Sequence, residues 1–274
     1  MKKHHLHPFS CIVGLVCIFF CTFCDKVDQG TYDFFENDPL INIGVAHNAV
    51  LQSVLDELST FPSTRTGEEV ISKDKVRMIA WTKVEELVYS YELIDTLQFQ
   101  VLDNLEQFAV TNAYQEELSN IGLNPIQLRL AKDLEKVFDD NDKDLSSLLR
   151  RIVNITVKAK LLLSGNELET FLTTCNVAAS TLEYWYENTD KWIAVSPAGK
   201  KKPEASKSFS WKKLAKEDMK GALSAAGGAV CSYLLGFGPV GWKAWCAYVL
   251  GGAVVGSLDN AIEQLWPDDD NEKK

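Results

Sequence analysis

The stretch from Gly221 to Leu258 limits most strongly how this chain can fold. It reads GALSAAGGAVCSYLLGFGPVGWKAWCAYVLGGAVVGSL and contains one charged residue, Lys243. A helix that is apolar on every side is buried either within a protein core or within a membrane. The stretch is therefore either a hairpin packed inside a globular fold or an element that acts on membranes.

The sequence predicts that this stretch folds as a helical hairpin. The segment GFGPVG, residues 236–241, interrupts it because glycine and Pro239 end a helix and permit a sharp turn. The predicted arms are 212–235 and 242–265, within a glycine-rich hairpin domain at 212–266. Small residues recur along both arms and let two helix backbones approach closely. They are Ser224, Gly228, Ser232 and Gly236 on the first arm, and Ala247, Gly251, Gly252 and Gly256 on the second.

Two cysteines test the register of the hairpin. Cys231 precedes Pro239 and Cys246 follows it at nearly equal spacing, so a turn at Pro239 brings them to the same level. Small neighbours allow the short Cα separation that a disulfide requires. We therefore predict facing cysteines and a possible Cys231–Cys246 disulfide. Cys175 falls in the apolar stripe of another helix and is predicted to be a buried, inert thiol.

The residues between the N-terminal segment and the hairpin predict an acidic all-α helical bundle of about six helices, at 25–195. Apolar residues recur there at three- and four-residue steps, and no segment shows sustained strand alternation. Asn124 followed by Pro125 is typical of a helix start. Asp144 is expected to cap a further helix, and Asn166 with Glu169 has the spacing of a capping box. A basic linker rich in Pro, Lys and Ser follows at 196–211, and an acidic tail ends the chain at 267–274.

Residues 1–24 have the pattern of a signal peptide. Lys2 and Lys3 form a basic start, and an apolar run extends from Phe9 to Phe23. The run ends near Cys24, which is the candidate for lipid attachment in a bacterial lipoprotein, with Cys21 as the other choice. A lipoprotein, a secreted protein and a retained anchor all remain open, and each is exported.

Removal of this segment leaves His47 as the one histidine of the chain. A catalytic triad, a Cys–His pair or a zinc site would have to use it, so we expect no enzyme, no cofactor and no metal. Removal of the segment also changes the net charge from −10 to −12, because the segment contains Lys2 and Lys3 and no acidic residue. An acidic chain of this kind is a poor nucleic-acid partner.

Two short motifs require a choice between a functional and a structural interpretation. His47 and Asn48 lie near the start of the first predicted helix, either as part of a binding site or as a pair that fastens the helix to the bundle. Asp140, Asp142 and Asp144 resemble the opening of a calcium loop. The glycine and glutamate that such a loop needs are replaced by Leu145 and Arg151, which favours an acidic turn ending in a helix cap.

Two segments resemble known families. The glycine-rich stretch resembles the C-terminal half of double-glycine-type bacteriocins, whose small-residue helices associate in target membranes. The segment NIGVAHNAVLQSVLDEL, residues 42–58, is similar to the IGxxHNxxL start of a group of uncharacterised exported proteins and lipoproteins of Bacteroidota-type bacteria. This second resemblance implies a location in the cell envelope and a fold, but it does not imply a catalysed reaction.

Together these features predict an exported, envelope-anchored, non-enzymatic helical interaction protein. Its expected partner is a membrane surface or another envelope protein, and in this reading the hairpin is a structural arm. The alternative is a bacteriocin-like membrane-active protein, in which the lysine-rich linker meets anionic lipid and the hairpin inserts into a target membrane.

Overall fold

The computed structural model describes residues 42–61, 71–90, 123–141, 144–197, 209–227 and 238–266. These residues form seven α-helices and contain no strand, which confirms the predicted all-α fold. The helices are α1 (Ile43–Thr60), α2 (Lys73–Ser90), α3 (Pro125–Asp139), α4 (Leu145–Leu162), α5 (Gly165–Val195), α6 (Trp211–Gly227) and α7 (Gly238–Leu265).

All seven helices belong to one compact unit, Pro39–Lys274. The sequence analysis assigned α1 to α5 to a bundle and α6 and α7 to a separate hairpin. In the structure α6 packs against α5, and α7 packs against α1, α2 and α6. The glycine-rich helices therefore share one hydrophobic core with the others. The predicted signal peptide, most of the linker and the acidic tail lie outside the described residues.

Local capping explains where α3 and α4 begin. The Asn124 side-chain oxygen accepts hydrogen bonds from the backbone N–H groups of Ile126 and Gln127, each at 2.9 Å, and the Gln127 side chain accepts one from Asn124 N–H. An Asp144 carboxylate oxygen accepts a hydrogen bond from Ser147 N–H at 3.1 Å. Both predicted helix starts are confirmed. Each cap satisfies backbone donors that have no partner inside the helix.

The predicted capping box of α5 is wrong. The helix begins at Gly165, and Ser164 rather than Asn166 occupies the N-cap position, without a side-chain hydrogen bond to the helix. Gly165 has φ of +54°, in the left-handed region that glycine adopts at little cost. This backbone conformation lets the chain reverse between α4 and α5 within a few residues, so the helix starts earlier than the side-chain pattern suggested.

Helix α7 lies in the centre of the core. Every residue from Trp245 to Val254 is buried. A helix enclosed on several sides needs apolar or small residues around its whole circumference, which accounts for the low charge of the stretch. None of the described helices is both long and apolar enough to cross a membrane.

Helices α6 and α7 cross at a contact between glycines. A Cβ atom added to Gly252 would lie 2.8 Å from the Gly221 carbonyl oxygen and 2.7 Å from the Ala225 Cβ. One added to Gly256 would lie 2.7 Å from the Glu217 carbonyl oxygen, and one added to Gly221 would collide with the Gly252 carbonyl. The backbones therefore touch where side chains would otherwise separate them.

The predicted small-residue stripe is only partly visible in this contact. Gly252 and Gly256 form its α7 side, and Ser224, Ala247 and Gly251 are also buried. Gly228, Ser232 and Gly236 lie outside the described residues. The sequence analysis did not include Gly221, which forms the α6 side.

The limits of the two arms also differ from the prediction. Helix α7 begins at Gly238 rather than Trp242, since proline is tolerated in the first turn of a helix. Helix α6 begins at Trp211 and is described as far as Gly227.

We predict that Gly221→Ala lowers the free energy of unfolding by about 1–3 kcal/mol, because the added methyl group meets backbone atoms that cannot move aside. This loss should exceed the roughly 1 kcal/mol that alanine gains over glycine within a helix. Urea unfolding measures the change.

Gly165→Asn is the matched control, since nothing lies within 4 Å of a Cβ at that position and asparagine tolerates the left-handed conformation. We expect this variant to unfold almost as the unmodified protein does. Equal stabilities for Gly221→Ala and Gly165→Asn would contradict the close contact.

Candidate functional site

The most unusual polar group in the described residues is the carboxylate of Asp218, on the apolar face of α6. Asp218 is completely buried, and Leu214 and Ala222, one turn before and one turn after it, are also completely buried. Residues four apart lie on the same side of a helix. The side chain is therefore directed into the core, where a carboxylate is tolerated only with polar partners.

These partners come from two other helices. One carboxylate oxygen of Asp218 accepts hydrogen bonds from the Thr181 hydroxyl and from Trp185 Nε1, the latter at 2.8 Å; both donors lie on α5. The other oxygen lies 3.5 Å from Nε2 of His47, which is on α1 and is also completely buried. This last separation is longer than an ordinary hydrogen bond. We call His47, Thr181, Trp185 and Asp218 the Asp218 cluster; it joins α1, α5 and α6.

Asn48 and Gly44 extend the contact between α1 and α5. His47 Nδ1 lies 3.1 Å from the Asn48 side-chain oxygen, and the Asn48 amide donates to the Ser180 carbonyl at 2.8 Å. Gly44 N–H donates to the Asn176 side-chain oxygen at 2.9 Å. A Cβ on Gly44 would lie 2.8 Å from the Asn176 carbonyl oxygen, so the start of α1 rests directly on α5. Asn48 and Gly44 thus fasten the start of α1 to α5. The choice between a binding site and a structural pair at His47 and Asn48 stays a prediction.

Aromatic rings cover the Asp218 cluster on the α5 side. The Trp185 ring lies 5.3 Å from the Trp192 ring and 5.5 Å from the Tyr184 ring, measured between centroids. Trp192 Nε1 donates to the Tyr184 hydroxyl at 3.1 Å. Burial raises the pKa of the Tyr184 phenol and outweighs the opposing effect of this hydrogen bond. Water is excluded here, which strengthens each hydrogen bond of the cluster.

This geometry favours a structural interpretation of the cluster over a reactive one. His47, Thr181, Trp185 and Asp218 each have no exposed surface, so a substrate in solution cannot reach them in this conformation. What they can do is hold α5 and α6 in one arrangement, because displacing either helix would leave the Thr181 hydroxyl and the Trp185 N–H without their acceptor. His47 Nε2 and the second Asp218 oxygen face each other without a hydrogen bond, so α1 adds a close polar contact only.

The acidic turn before α4 holds no metal-binding arrangement in the part of the chain that the structure describes. No group of three or more His, Cys, Asp or Glu side chains in that part could hold an ion. Arg151, which stands where a calcium loop needs glutamate, instead binds the Asp140 carboxylate at 2.6 Å. Asp144 caps α4, so the turn serves to begin that helix.

The cysteines divide between described and undescribed positions. Cys175 is 2% exposed, which confirms its predicted burial, and burial raises the pKa of its thiol to about 12. The thiol is therefore protonated and unreactive at neutral pH. Cys246 is buried, but Cys231 lies outside the described residues, so the disulfide stays a prediction. The lipid-attachment candidate Cys24 also lies outside them.

The sequence analysis found His47 and Asn48 but missed Asp218. A signal was present: the apolar stripe of α6 runs through Leu214, Ala215, Met219 and Ala222, and Asp218 is an acidic residue within it. A carboxylate on an otherwise apolar helix face predicts a buried polar contact. The sequence pattern of α6 does not identify the partners of this carboxylate.

Comparison of the chain with protein-family models, with curated proteins and with solved structures finds no match in any of the three. The interpretation of the site therefore depends on its geometry.

We predict that Asp218→Ala lowers the free energy of unfolding by about 2–4 kcal/mol, because it leaves the Thr181 hydroxyl and the Trp185 N–H buried without an acceptor. Urea unfolding followed by circular dichroism measures the loss.

Asp259→Ala is the matched control. Asp259 accepts a hydrogen bond from Arg77 Nε at 2.8 Å, but this pair is partly exposed to solvent, and the loss of such a pair costs about 0–1 kcal/mol. A loss for Asp218→Ala no greater than that for Asp259→Ala would show that the cluster does not stabilise the fold.

Proposed function

We propose that this protein is exported, anchored in the cell envelope, and acts without catalysis by binding a membrane surface or another envelope protein. One observation carries the non-enzymatic part: His47 is the histidine that remains after the predicted signal peptide, and it is buried between Asn48 and Asp218. The residue most suited to acid–base chemistry is thus used to hold helices together. Export and anchoring rest on the sequence pattern of residues 1–24.

The position of α7 supports a structural role for the glycine-rich hairpin. Membrane insertion would require α7 to leave its contacts with α1, α2 and α6, and to separate Gly252 from Gly221. That separation would expose the core of the remaining helices to water at a large cost in free energy. Packing thus favours the interaction protein over the bacteriocin-like alternative.

Two lysines on α6, the first arm of the hairpin, also favour this reading. Lys216 binds the carboxylates of Glu135 at 3.1 Å and Asp139 at 2.7 Å, both on α3, and Lys220 lies 3.4 Å from Glu135. Partial burial lowers the pKa of Lys216, but hydrogen bonds to Asp139 and Glu135 and attraction to their charges together outweigh that effect and raise it. These lysines attach α6 to α3 and are less available to anionic lipid.

We predict that the folded full chain does not release dye from vesicles that contain anionic lipid. A pore-forming peptide serves as the positive control, and the Gly221→Ala variant tests whether a looser hairpin changes the result. Dye release by the unmodified chain at low salt would contradict the proposal and favour the membrane-active alternative.

We predict that Cys24→Ser abolishes incorporation of labelled palmitate into the chain expressed with its own N-terminal segment, and that the protein then leaves the membrane fraction. Cys21→Ser is the matched control and should retain both the label and the membrane association. Unchanged labelling of Cys24→Ser, with loss in Cys21→Ser, would move the anchor to Cys21. No labelling of the unmodified chain would contradict lipid anchoring altogether.

A further inference from the structure

Helix α4 has an unusual charge for a chain as acidic as this one. It carries four basic residues and no acidic residue; the basic ones are Arg150, Arg151, Lys158 and Lys160. Arg151 is occupied by the Asp140 carboxylate and the Lys136 carbonyl. The sequence analysis drew attention to the basic linker and overlooked this helix.

The same helix exposes large apolar side chains. Leu161 is 77% exposed, more than any other large hydrophobic residue that the structure describes, and Val157 is 48% exposed. Leu162, in the last turn, is 46% exposed. Val157 and Leu161 are one turn apart, and Arg150 lies two turns before Val157, so the three share one side of the helix. Lys158 and Lys160 flank that side.

The opposite side of α4 is fully used for packing. Leu148, Ile152 and Ala159 are buried there, and α4 contacts α3 and α5. The exposed apolar residues are thus not part of this core. We call Arg150, Val157, Lys158 and Leu161 the α4 face; Leu162 lies toward the packed side and is exposed at the end of the helix.

We propose that the α4 face docks on the surface of a bilayer that contains anionic lipid. Apolar side chains bordered by lysine and arginine are typical of helices that lie in a membrane interface, where cations meet phosphate groups and apolar side chains enter the acyl region. Lysine and arginine stems extend over apolar surface while their charges stay in water. A bilayer supplies both kinds of contact: phosphate groups for the cations and acyl chains for the apolar side chains.

A second copy of the chain fits the α4 face less well. Paired across a two-fold axis, the face would oppose itself and bring Arg150 and Lys158 close to their own counterparts. Like charges across such a contact oppose association.

Two apolar side chains and a few charges bind a bilayer only weakly and reversibly. The α4 face would therefore orient a protein that another segment already holds near the membrane. The inference that the α4 face meets a membrane in the cell rests on the proposed location in the cell envelope. Its test uses purified vesicles and does not depend on export, so the two proposals can fail separately.

The experiment maps which residues of the full chain touch lipid. Vesicles of phosphatidylcholine, with or without phosphatidylglycerol, carry a photoactivatable group on an acyl chain, and labelled peptides are identified by mass spectrometry. We expect labelling at residues 157–162 only when phosphatidylglycerol is present, and none around Met78, which is 53% exposed on α2.

Variants separate the two contributions. Leu161→Ser should remove most of the labelling of α4, whereas the matched Met78→Ser should not. Replacing Arg150 and Lys158 with glutamine should weaken vesicle binding through α4 about fivefold for each charge removed, whereas Lys132→Gln, an exposed lysine on α3, should have no effect. Unchanged urea unfolding confirms that each variant is folded.

Labelling of α4 no stronger than that around Met78 would overturn the proposal. So would equal labelling in vesicles without phosphatidylglycerol, because charge would then play no part. A dimer detected by light scattering and abolished by Leu161→Ser would assign the α4 face to a second copy instead.

Discussion

The buried carboxylate of Asp218 is the constraint on which the arrangement of the helices depends. A carboxyl group is not stable in an apolar core unless other polar groups surround it. Helix α5 therefore presents Thr181 and Trp185 to it, and α1 presents His47. The hydrogen bonds from Thr181 and Trp185 are made in one register of α5 and α6, whereas apolar contacts tolerate small shifts more readily.

Helix α6 connects this cluster to the glycine-rich helix. Asp218 and Gly221 are within one turn of each other, with Asp218 directed to α5 and α1 and Gly221 in contact with Gly252 of α7. The position of α6 is fixed on one side by hydrogen bonds and on the other by backbone contact. The low charge of α7 follows from this arrangement, because the helix is enclosed on several sides.

The sequence predicted the parts of the fold that depend on local patterns. The all-α class and the caps at Asn124 and Asp144 follow from periodicity and from side chains that reach only two or three residues ahead. The partners of Asp218 could not be predicted, since His47 is far from it in the chain and the contact depends on how three helices assemble. Gly221 was missed for the same reason, because the need for a glycine there depends on the close approach of the α7 backbone.

A double-mutant cycle between His47 and Thr181 tests most directly whether one carboxylate couples the helices. His47→Leu, Thr181→Val and the double variant are unfolded in urea, and the cycle is repeated with Asp218→Asn in all four proteins. The account predicts a coupling energy above about 0.5 kcal/mol that disappears in the Asp218→Asn background. Additive effects in the original protein, or coupling that survives without the carboxylate, would contradict it.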